Sequence, residues 1–428
     1  MDLSYRNVYI STSIDRILWS LTLVFLFIPL EKIAIFGLTL IGFVRLALVL
    51  TKKIGSLPRI ILYISLLLGF STLSYLIYAI SYGLYFSYIS YVFTGGYFFL
   101  YLTTSFYTRP GIYRWVMKIF ITLTFVESIL GIIQAKFYAF VPGDWTTGTL
   151  PNAHIMGFYT AYSILFTFFF VSQRKSLFFL VFFLAAHYLS DTKQFSASIV
   201  VGFFIFFLFY SNFFVFLRLI VVSVMVAMIL PFFIFLSHFF LRADSPLSYL
   251  QYVPKVQGYM TIPDVFGENP YVLFLGTSPG TYASRAAVSL ASPTVLAKES
   301  KENPIEENSP YLVKYLAPYY SPDFYEHLGN TGTFYTPFSS ALAIIIEYGL
   351  IGCLLFFLLF RKIIGMNKQI LKTHRIGAIN IILTFALLMV FVYDNWFEHA
   401  MVMLPYLISL GYVFSMDKVP ADPADATP

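Results

Sequence analysis

The feature that most constrains this chain is a series of long apolar runs that recurs along its whole length. A transmembrane helix needs about 20 apolar residues to cross a hydrocarbon core about 30 Å thick. The runs of this kind are residues 14–30, 33–50, 59–81, 84–107, 113–136, 153–172, 176–190, 197–211, 214–240, 336–360, 376–393 and 399–415. We therefore expect an all-α polytopic membrane protein with about 12 transmembrane helices.

Composition supports the same fold class. Of the 428 residues, 59% are hydrophobic and only 11% are charged, whereas about a quarter are charged in soluble domains. So few charges cannot cover the surface of a soluble core, which excludes a soluble enzyme and a disordered chain. The single cysteine, Cys353, lies in an apolar run and excludes a disulfide-linked scaffold.

Lysine and arginine alternate between the two sets of connections, which predicts the orientation. The richer set contains Lys52, Lys53, Arg59, Arg109, Arg114, Arg174, Lys175, Arg218, Arg361, Lys362, Lys368, Lys372 and Arg375. The opposite short connections contain only Lys32, Lys136 and Lys193. Because positive charge stays in the cytoplasm, both termini are expected there. The basic residues are scattered beside the runs, so they indicate no nucleic-acid partner.

This topology divides the chain into four parts. Residues 1–240 hold helices 1–9, and residues 241–335 form one large external loop between helices 9 and 10. Residues 336–415 hold helices 10–12, and residues 416–428 are expected to be a disordered cytoplasmic tail. The loop is rich in tyrosine, including Tyr282. Tyrosine suits both a membrane-interface belt and contact with sugar rings, and both interpretations stay open.

Two cations near the external face are candidates for binding a lipid-linked diphosphate. Lys193 lies in SDTKQFSAS (190–198), in a turn between two short runs, although it could instead pair with Asp191 or reach to lipid headgroups. Arg285 follows the glycine-rich turn GTSPG (276–280), whose amides are expected to meet an anion. Together the two cations predict a phosphate site.

Other polar residues could complete such a site. Asn152 and His154 lie where an external connection enters the sixth run; Asn152 fits a helix N-cap, and both are candidates for substrate binding. His327 is a candidate general base for a sugar hydroxyl, with Asp323 nearby as a substrate-binding residue. The last external turn, YDNWFEHA (393–400), is either a polar interfacial cluster or a wall of the same cleft.

Three charges lie deepest in the apolar runs and need partners that the sequence does not identify. They are Arg45, Glu127 and Glu347. A buried charge requires an opposite charge, hydrogen bonds or neutralisation. No pattern of metal ligands, nucleotide-binding glycines or common catalytic motifs appears in a usable context, so neither a metal nor another cofactor is expected.

Four segments, taken with the topology, resemble the O-antigen polymerase and ligase superfamily of Wzy-like membrane glycosyltransferases. They are GTLPNAHIMGFY (148–159), SDTKQFSAS (190–198), LFLGTSPGTY (273–282) and EYGLIG (347–352). The resemblance implies sugar transfer from undecaprenyl diphosphate at the periplasmic face of a bacterial inner membrane, without a nucleotide sugar or an obligatory metal. In that scheme Lys193 and Arg285 bind the leaving group. Lipids and a chain-length regulator are the partners it suggests.

The leading functional prediction is a polymerase that joins lipid-linked oligosaccharide repeat units. Ligases of this family carry a His-Asn-like pair about ten residues before the glutamate of Glu-x-Gly, where this chain has Pro337 and Phe338. This departure favours a polymerase over a ligase that transfers glycan to a lipid core. A flippase for lipid-linked sugars is the alternative from another class, although no paired halves are apparent.

Overall fold

The computed structural model describes residues 9–51, 58–141, 145–190, 192–210, 253–292, 295, 305–320 and 337–416. Every regular element within these ranges is helical, as the sequence predicts. Six helices of the described ranges are long and apolar enough to cross a membrane, and three shorter apolar helices accompany them. The chain is therefore an all-α membrane protein.

The helices are numbered here in chain order. The N-terminal part contains α1 (Thr12–Leu26), α2 (Glu31–Leu50), α3 (Arg59–Ser74), α4 (Ser87–Thr94), α5 (Gly96–Thr104), α6 (Pro110–Lys136), α7 (Ala153–Phe170), α8 (Gln173–Leu189) and α9 (Lys193–Tyr210). The C-terminal part contains α10 (Pro254–Met260), α11 (Ile262–Glu268), α12 (Pro270–Leu275), α13 (Arg285–Leu290), α14 (Ser340–Leu371), α15 (Ile376–Tyr393) and α16 (Ala400–Met416). Helix α3 continues through a π-helical turn to Tyr82, so one long helix covers the third apolar run.

Two of the predicted apolar runs are not described as single helices. The fourth run, 84–107, is not one continuous helix, because α4 ends at Thr94 and α5 begins at Gly96. The consecutive glycines 95 and 96 explain the break, since glycine loses more backbone entropy in a helix than other residues do. The ninth run, 214–240, lies outside the described residues. The number of 12 transmembrane helices therefore stays a prediction.

The described part of the large loop is folded onto the membrane helices. Helices α10 to α13 are short, and α12 packs against α14 while α13 packs against α4. Further along the loop, the carboxylate of Glu307 accepts hydrogen bonds from the backbone N–H groups of Phe86 (2.7 Å) and Ser87 (2.9 Å). These amides lie at the start of α4, where helical partners are absent. The loop is thus anchored at more than one point.

Helix α16 lies at the centre of the bundle. All of its residues from Ala400 to Ser415 are buried, and it contacts α5, α6, α7 and α15. A helix that is apolar on every side belongs in such an interior position. Peripheral helices instead expose large apolar side chains, such as Ile17, Leu62 and Leu177. Exposed apolar surface on the outside of a bundle is what contact with lipid requires.

Two of the deep charges find partners inside the bundle. Arg45 Nη1 donates to Asp15 Oδ1 at 2.6 Å, and Arg45 Nη2 donates to Thr108 Oγ1 at 2.6 Å. Both members of the ion pair are fully buried. Glu127 accepts from the backbone N–H of Thr149 (2.6 Å) and from its hydroxyl (2.7 Å). The first pair fixes α1 against α2, and the second fixes the segment before α7 onto α6.

Candidate active site

The guanidinium of Arg285 lies against the start of α2 and the turn before α16. Its Nη1 donates a hydrogen bond to Glu31 Oε1 at 2.9 Å, and its Nε donates to the carbonyl oxygen of Asn395 at 3.0 Å. Its carbon Cζ lies 5.4 Å from the centre of the Trp396 ring. The Arg285 and Glu31 side chains remain 33% and 31% exposed. The ion pair is therefore fixed in position and still accessible.

The turn between α15 and α16 is held by the start of α14. Ser340 Oγ accepts from the backbone N–H of Phe397 at 2.9 Å, and the backbone N–H of Ser340 donates to the Asp394 carbonyl at 3.1 Å. Asn395 Nδ2 donates to the carbonyl of Ala283 at 3.0 Å. The turn thus links α14 to the segment that carries Arg285, and it presents Trp396 to the guanidinium.

Two further titratable groups of the turn, His399 and Glu398, lie close to the Arg285–Glu31 pair. His399 Nε2 lies 3.1 Å from Glu31 Oε1. Burial lowers the pKa of His399, and the nearby charge of Arg285 lowers it further. Glu398 Oε2 accepts from the backbone N–H of Ala286 at 3.2 Å. Burial, with the carboxyl of Glu347 nearby, raises the pKa of Glu398 to about 8. At neutral pH His399 and Glu398 are therefore both expected to be mainly uncharged.

The start of α7 contacts the same turn, and the start of α9 packs on α7. The ring of His154 lies 5.9 Å from that of Trp396, and Phe158 packs on Trp396 at 5.2 Å and on Phe195 at 4.1 Å. Phe195 is two residues beyond Lys193, the first residue of α9. The structure thus brings the segments of His154, Lys193 and Arg285 together, although the side chain of Lys193 lies outside the described residues.

Asn152 is the N-cap of α7. Its Oδ1 accepts from the backbone N–H of Ile155 at 2.9 Å, which confirms the helix-start interpretation. This bond occupies one acceptor site of the side chain. A contact between Asn152 and a substrate stays a prediction.

The glycine-rich turn before Arg285 differs from the expectation that its amides meet a bound anion. The backbone N–H of Gly280 donates to Glu347 Oε2 at 2.7 Å, and that of Tyr282 donates to Oε1 at 2.8 Å. The anionic group at these amides is therefore a side chain of α14, the third of the deep charges. Ser284 is the N-cap of α13, and its hydroxyl accepts from the backbone N–H of Ala287 at 3.2 Å.

Tyr282, another predicted site residue, makes its side-chain hydrogen bond within the large loop. The Tyr282 side chain is fully buried, and its hydroxyl lies 2.7 Å from Thr261 Oγ1. Burial raises the pKa of this phenol. Its assignment to substrate binding stays a prediction. His327 and Asp323 lie outside the described residues, so their roles as base and substrate ligand also stay predictions.

Sequence reasoning missed Glu31 and Lys255. Glu31 is the counter-ion of Arg285, and the available signal was an acidic residue at the start of an apolar run. Lys255 on α10 is buried and donates from Nζ to the carbonyl of Phe338, just before α14. Burial lowers the pKa of Lys255 to about 8, and Asp394 opposes the shift. A lysine in a tyrosine-rich loop gave no sign of this burial.

Comparison with known proteins gave no match to a family model, a curated protein or a solved structure. Among the described residues, no group of three or more His, Cys, Asp or Glu side chains is arranged to hold a metal ion. The cluster of Arg285, Glu31, Trp396, Glu398 and His399 is the candidate active site, and it offers a cation and a carboxylate side by side.

Proposed function

We propose that the chain is a bacterial inner-membrane glycan polymerase that joins oligosaccharide repeat units carried on undecaprenyl diphosphate. The observation that carries the proposal is the partly exposed Arg285 guanidinium, held between Glu31 and Trp396. Trp396 also contacts the start of α7, which in turn packs against the start of α9, and both starts belong to segments that resemble the polymerase and ligase superfamily. This placement supports one site built from parts that are distant in sequence.

Arg285 would bind the departing diphosphate. The bonds to Glu31 and Asn395 use two of the five guanidinium N–H groups. Three N–H groups lie outside those bonds and match phosphate oxygens in charge and geometry. A cation–π contact with Trp396 also helps to hold the guanidinium. A cation held in this way stabilises negative charge as it develops on the leaving group.

Glu31 would orient the attacking sugar hydroxyl by accepting its hydrogen bond. Its carboxylate is the partly exposed acceptor beside Arg285, whereas Glu398 and His399 are buried. In the transfer, the acceptor oxygen forms a new bond to the anomeric carbon, and the bond from that carbon to the diphosphate oxygen breaks. The electron pair leaves with undecaprenyl diphosphate, and the proton passes to the predicted base, His327. A single displacement of this kind inverts the anomeric centre.

Lys193 and His327 keep their predicted roles in this scheme. Lys193 would supply a second cation for the diphosphate from the start of α9, near Phe158 and Trp396. His327 would take the proton of the attacking sugar hydroxyl as the general base. The large loop would cover the sugars at the periplasmic face while the polyprenyl tails lie between helices. Positioning two bulky substrates would supply much of the rate.

The test is the size distribution of surface and lipid-linked glycan in a strain that lacks this chain and is complemented with variants. Arg285→Ala should lower chain extension about 100-fold or more, as the loss of one transition-state donor typically does. Arg285→Lys should also be defective, because lysine lacks the planar fork. Lys314→Ala is the matched control, since this exposed loop cation pairs with Glu268 elsewhere in the loop.

Each outcome has a distinct meaning. Single repeat units at the cell surface, without a ladder, support a polymerase. Full-length polymer retained on its lipid carrier would show a ligase, and single units trapped on the cytoplasmic side would show a flippase. A normal ladder with Arg285→Ala would overturn the assigned site.

A further inference from the structure

The carboxyl of Glu347 is buried in α14 and is surrounded by backbone donors of one loop. Gly280 N–H donates to Oε2 at 2.7 Å. The N–H groups of Tyr282, Ala283 and Ser284 donate to Oε1 at 2.8, 2.9 and 2.9 Å. A buried carboxyl that accepts several amide hydrogen bonds is a strong local constraint, because each donor would otherwise be unsatisfied. We call residues 276–284 the positioning loop.

The backbone of α14 is deformed where the positioning loop meets it. Gly349 has φ of +59°, a left-handed conformation that interrupts the helical hydrogen bonds. The backbone N–H groups of Thr277 and Ser278 donate instead to the carbonyls of Ile346 (2.9 Å) and Glu347 (3.1 Å). The loop thus satisfies carbonyl groups that the kink leaves without helical partners.

Two glycines make this contact sterically possible. A Cβ at Gly276 would collide with the carbonyl of Glu347, and a Cβ at Gly349 would lie 2.6 Å from the backbone nitrogen of Gly276. Gly276 also has φ of +72°. The GTSPG and EYGLIG segments therefore form one unit, with Glu347 at its centre.

The positioning loop ends immediately before Arg285. Ser284, whose N–H is bound by Glu347, is also the N-cap of the helix that Arg285 begins. The carbonyl of Ala283 accepts from Asn395, the residue whose own carbonyl binds the guanidinium. The position of the backbone at residues 280–284 therefore sets the position of the Arg285 Cα atom, from which the side chain extends.

We infer that Glu347 is a positioning residue: its carboxyl fixes the positioning loop on α14 and so sets the location of the Arg285 guanidinium. The role in catalysis rests on the proposed function, whereas the role in loop placement does not. Glu347 touches no substrate in this scheme. It acts through the backbone that carries Arg285.

Glu347→Gln tests whether the hydrogen bonds of the Glu347 carboxyl, and not only its volume, hold the positioning loop. Glutamine matches the size of Glu347 but has one acceptor oxygen. That oxygen can keep the three bonds made by Oε1, while its NH₂ group then faces the N–H of Gly280. One charge-assisted hydrogen bond is thereby replaced by two opposed donors. The loss of one such bond corresponds to about tenfold or more in an equilibrium.

Cysteine labelling of the purified full chain tests the loop placement directly. Ser278 is fully buried in the positioning loop, so Ser278→Cys in a Cys353→Ser background should react slowly with a maleimide. Adding Glu347→Gln should raise the labelling rate about tenfold or more. Thr281→Val, which removes hydroxyl bonds to Thr277 and Ser278 but leaves Glu347 intact, should give a smaller rise.

The matched control is Thr384→Val. It removes a buried hydroxyl that bonds Asn380 and Tyr406, about 14 Å along the helix axis from Tyr393, the last residue of α15. It should leave the cysteine at 278 protected. Labelling that is unchanged by Glu347→Gln would overturn the inference, as would equal deprotection by Thr384→Val.

Glycan assays separate failure of this inference from failure of the proposed function. Glu347→Gln should lower chain extension at saturating substrate, because the Arg285 guanidinium is displaced from the transition state. If Arg285→Ala abolishes the ladder while Glu347→Gln exposes residue 278 without loss of activity, the positioning role is wrong and the polymerase stands. If Arg285→Ala leaves the ladder intact, the proposed site is wrong, and the labelling result still decides the loop placement.

Discussion

Removing the carboxylate of Asp15 should destabilise the bundle by a large and measurable amount. Asp15 and Arg45 form an ion pair at 2.6 Å in which neither side chain has exposed surface. The Arg45 guanidinium also bonds Thr108 and lies 4.4 Å from the centre of the Trp19 ring. In Asp15→Ala these contacts remain, but the buried positive charge loses its counter-ion.

The expected loss in the free energy of unfolding is about 3–5 kcal/mol, the usual cost of breaking a buried pair from one side. Arg45→Met should cost less, because a lone carboxyl can take up a proton whereas a guanidinium stays charged. The double variant Asp15→Leu with Arg45→Met should regain most of the loss, since an apolar pair of similar volume needs no charge solvation.

Unfolding in mixed micelles, titrated with a denaturing detergent and followed by tryptophan fluorescence, measures these differences. Thr22→Val on the same helix is the matched control, because it removes a neutral contact of 3.1 Å to the Tyr101 hydroxyl. Its cost should be about 0.6 kcal/mol, the average for such bonds between membrane helices. A loss below about 1.5 kcal/mol for Asp15→Ala, or no recovery in the double variant, would refute the reasoning.

Two buried titratable groups, a glycine with positive φ and a helix N-cap give four further predictions on stability. Because the pKa of buried Glu398 is raised to about 8, the free energy of unfolding should fall as pH rises from about 4.5 to 8, and Glu398→Gln should flatten that dependence in pH-resolved unfolding. The pKa of Lys255, lowered to about 8, predicts a rise in stability between about pH 8 and 10.5 that Lys255→Met should abolish. Gly349→Ala should cost at least about 2 kcal/mol in unfolding titrations, because of its positive φ and the approach to Gly276, whereas Gly365→Ala, with open space around it, should be neutral or stabilising. Asn152→Ala should cost about 1 kcal/mol through loss of the α7 cap, and an unchanged midpoint would contradict the cap assignment.

The helical class was predictable because apolar runs of membrane-spanning length leave the backbone few other solutions. The split of the fourth run could have been anticipated from the adjacent glycines 95 and 96. The central place of α16 was harder to foresee, since several runs are equally apolar. Its position depends on packing contacts, such as the close approach of Gly411 to the Tyr113 ring, which no local pattern reports.

The candidate site was partly predictable. Arg285 was identified because it follows a glycine-rich turn, and His154 because it lies where a connection enters the sixth apolar run. Their shared neighbour Trp396 lies in a third segment. The partner of Glu347 could not be predicted from residue types, because it consists of backbone amides 63 to 67 positions away. Sequence patterns indicate that a buried carboxyl needs partners, but a backbone partner has no side-chain signature.

The most direct test of the central claim is polymerisation by the purified chain in vesicles that contain undecaprenyl-diphosphate-linked repeat units from the deletion strain. The account predicts a ladder of products at integer multiples of the unit, with one undecaprenyl diphosphate released for each new linkage. Arg285→Ala should lose both signals while retaining its fold. Repeat units that remain single with wild-type protein, or a ladder that Arg285→Ala also produces, would contradict the account.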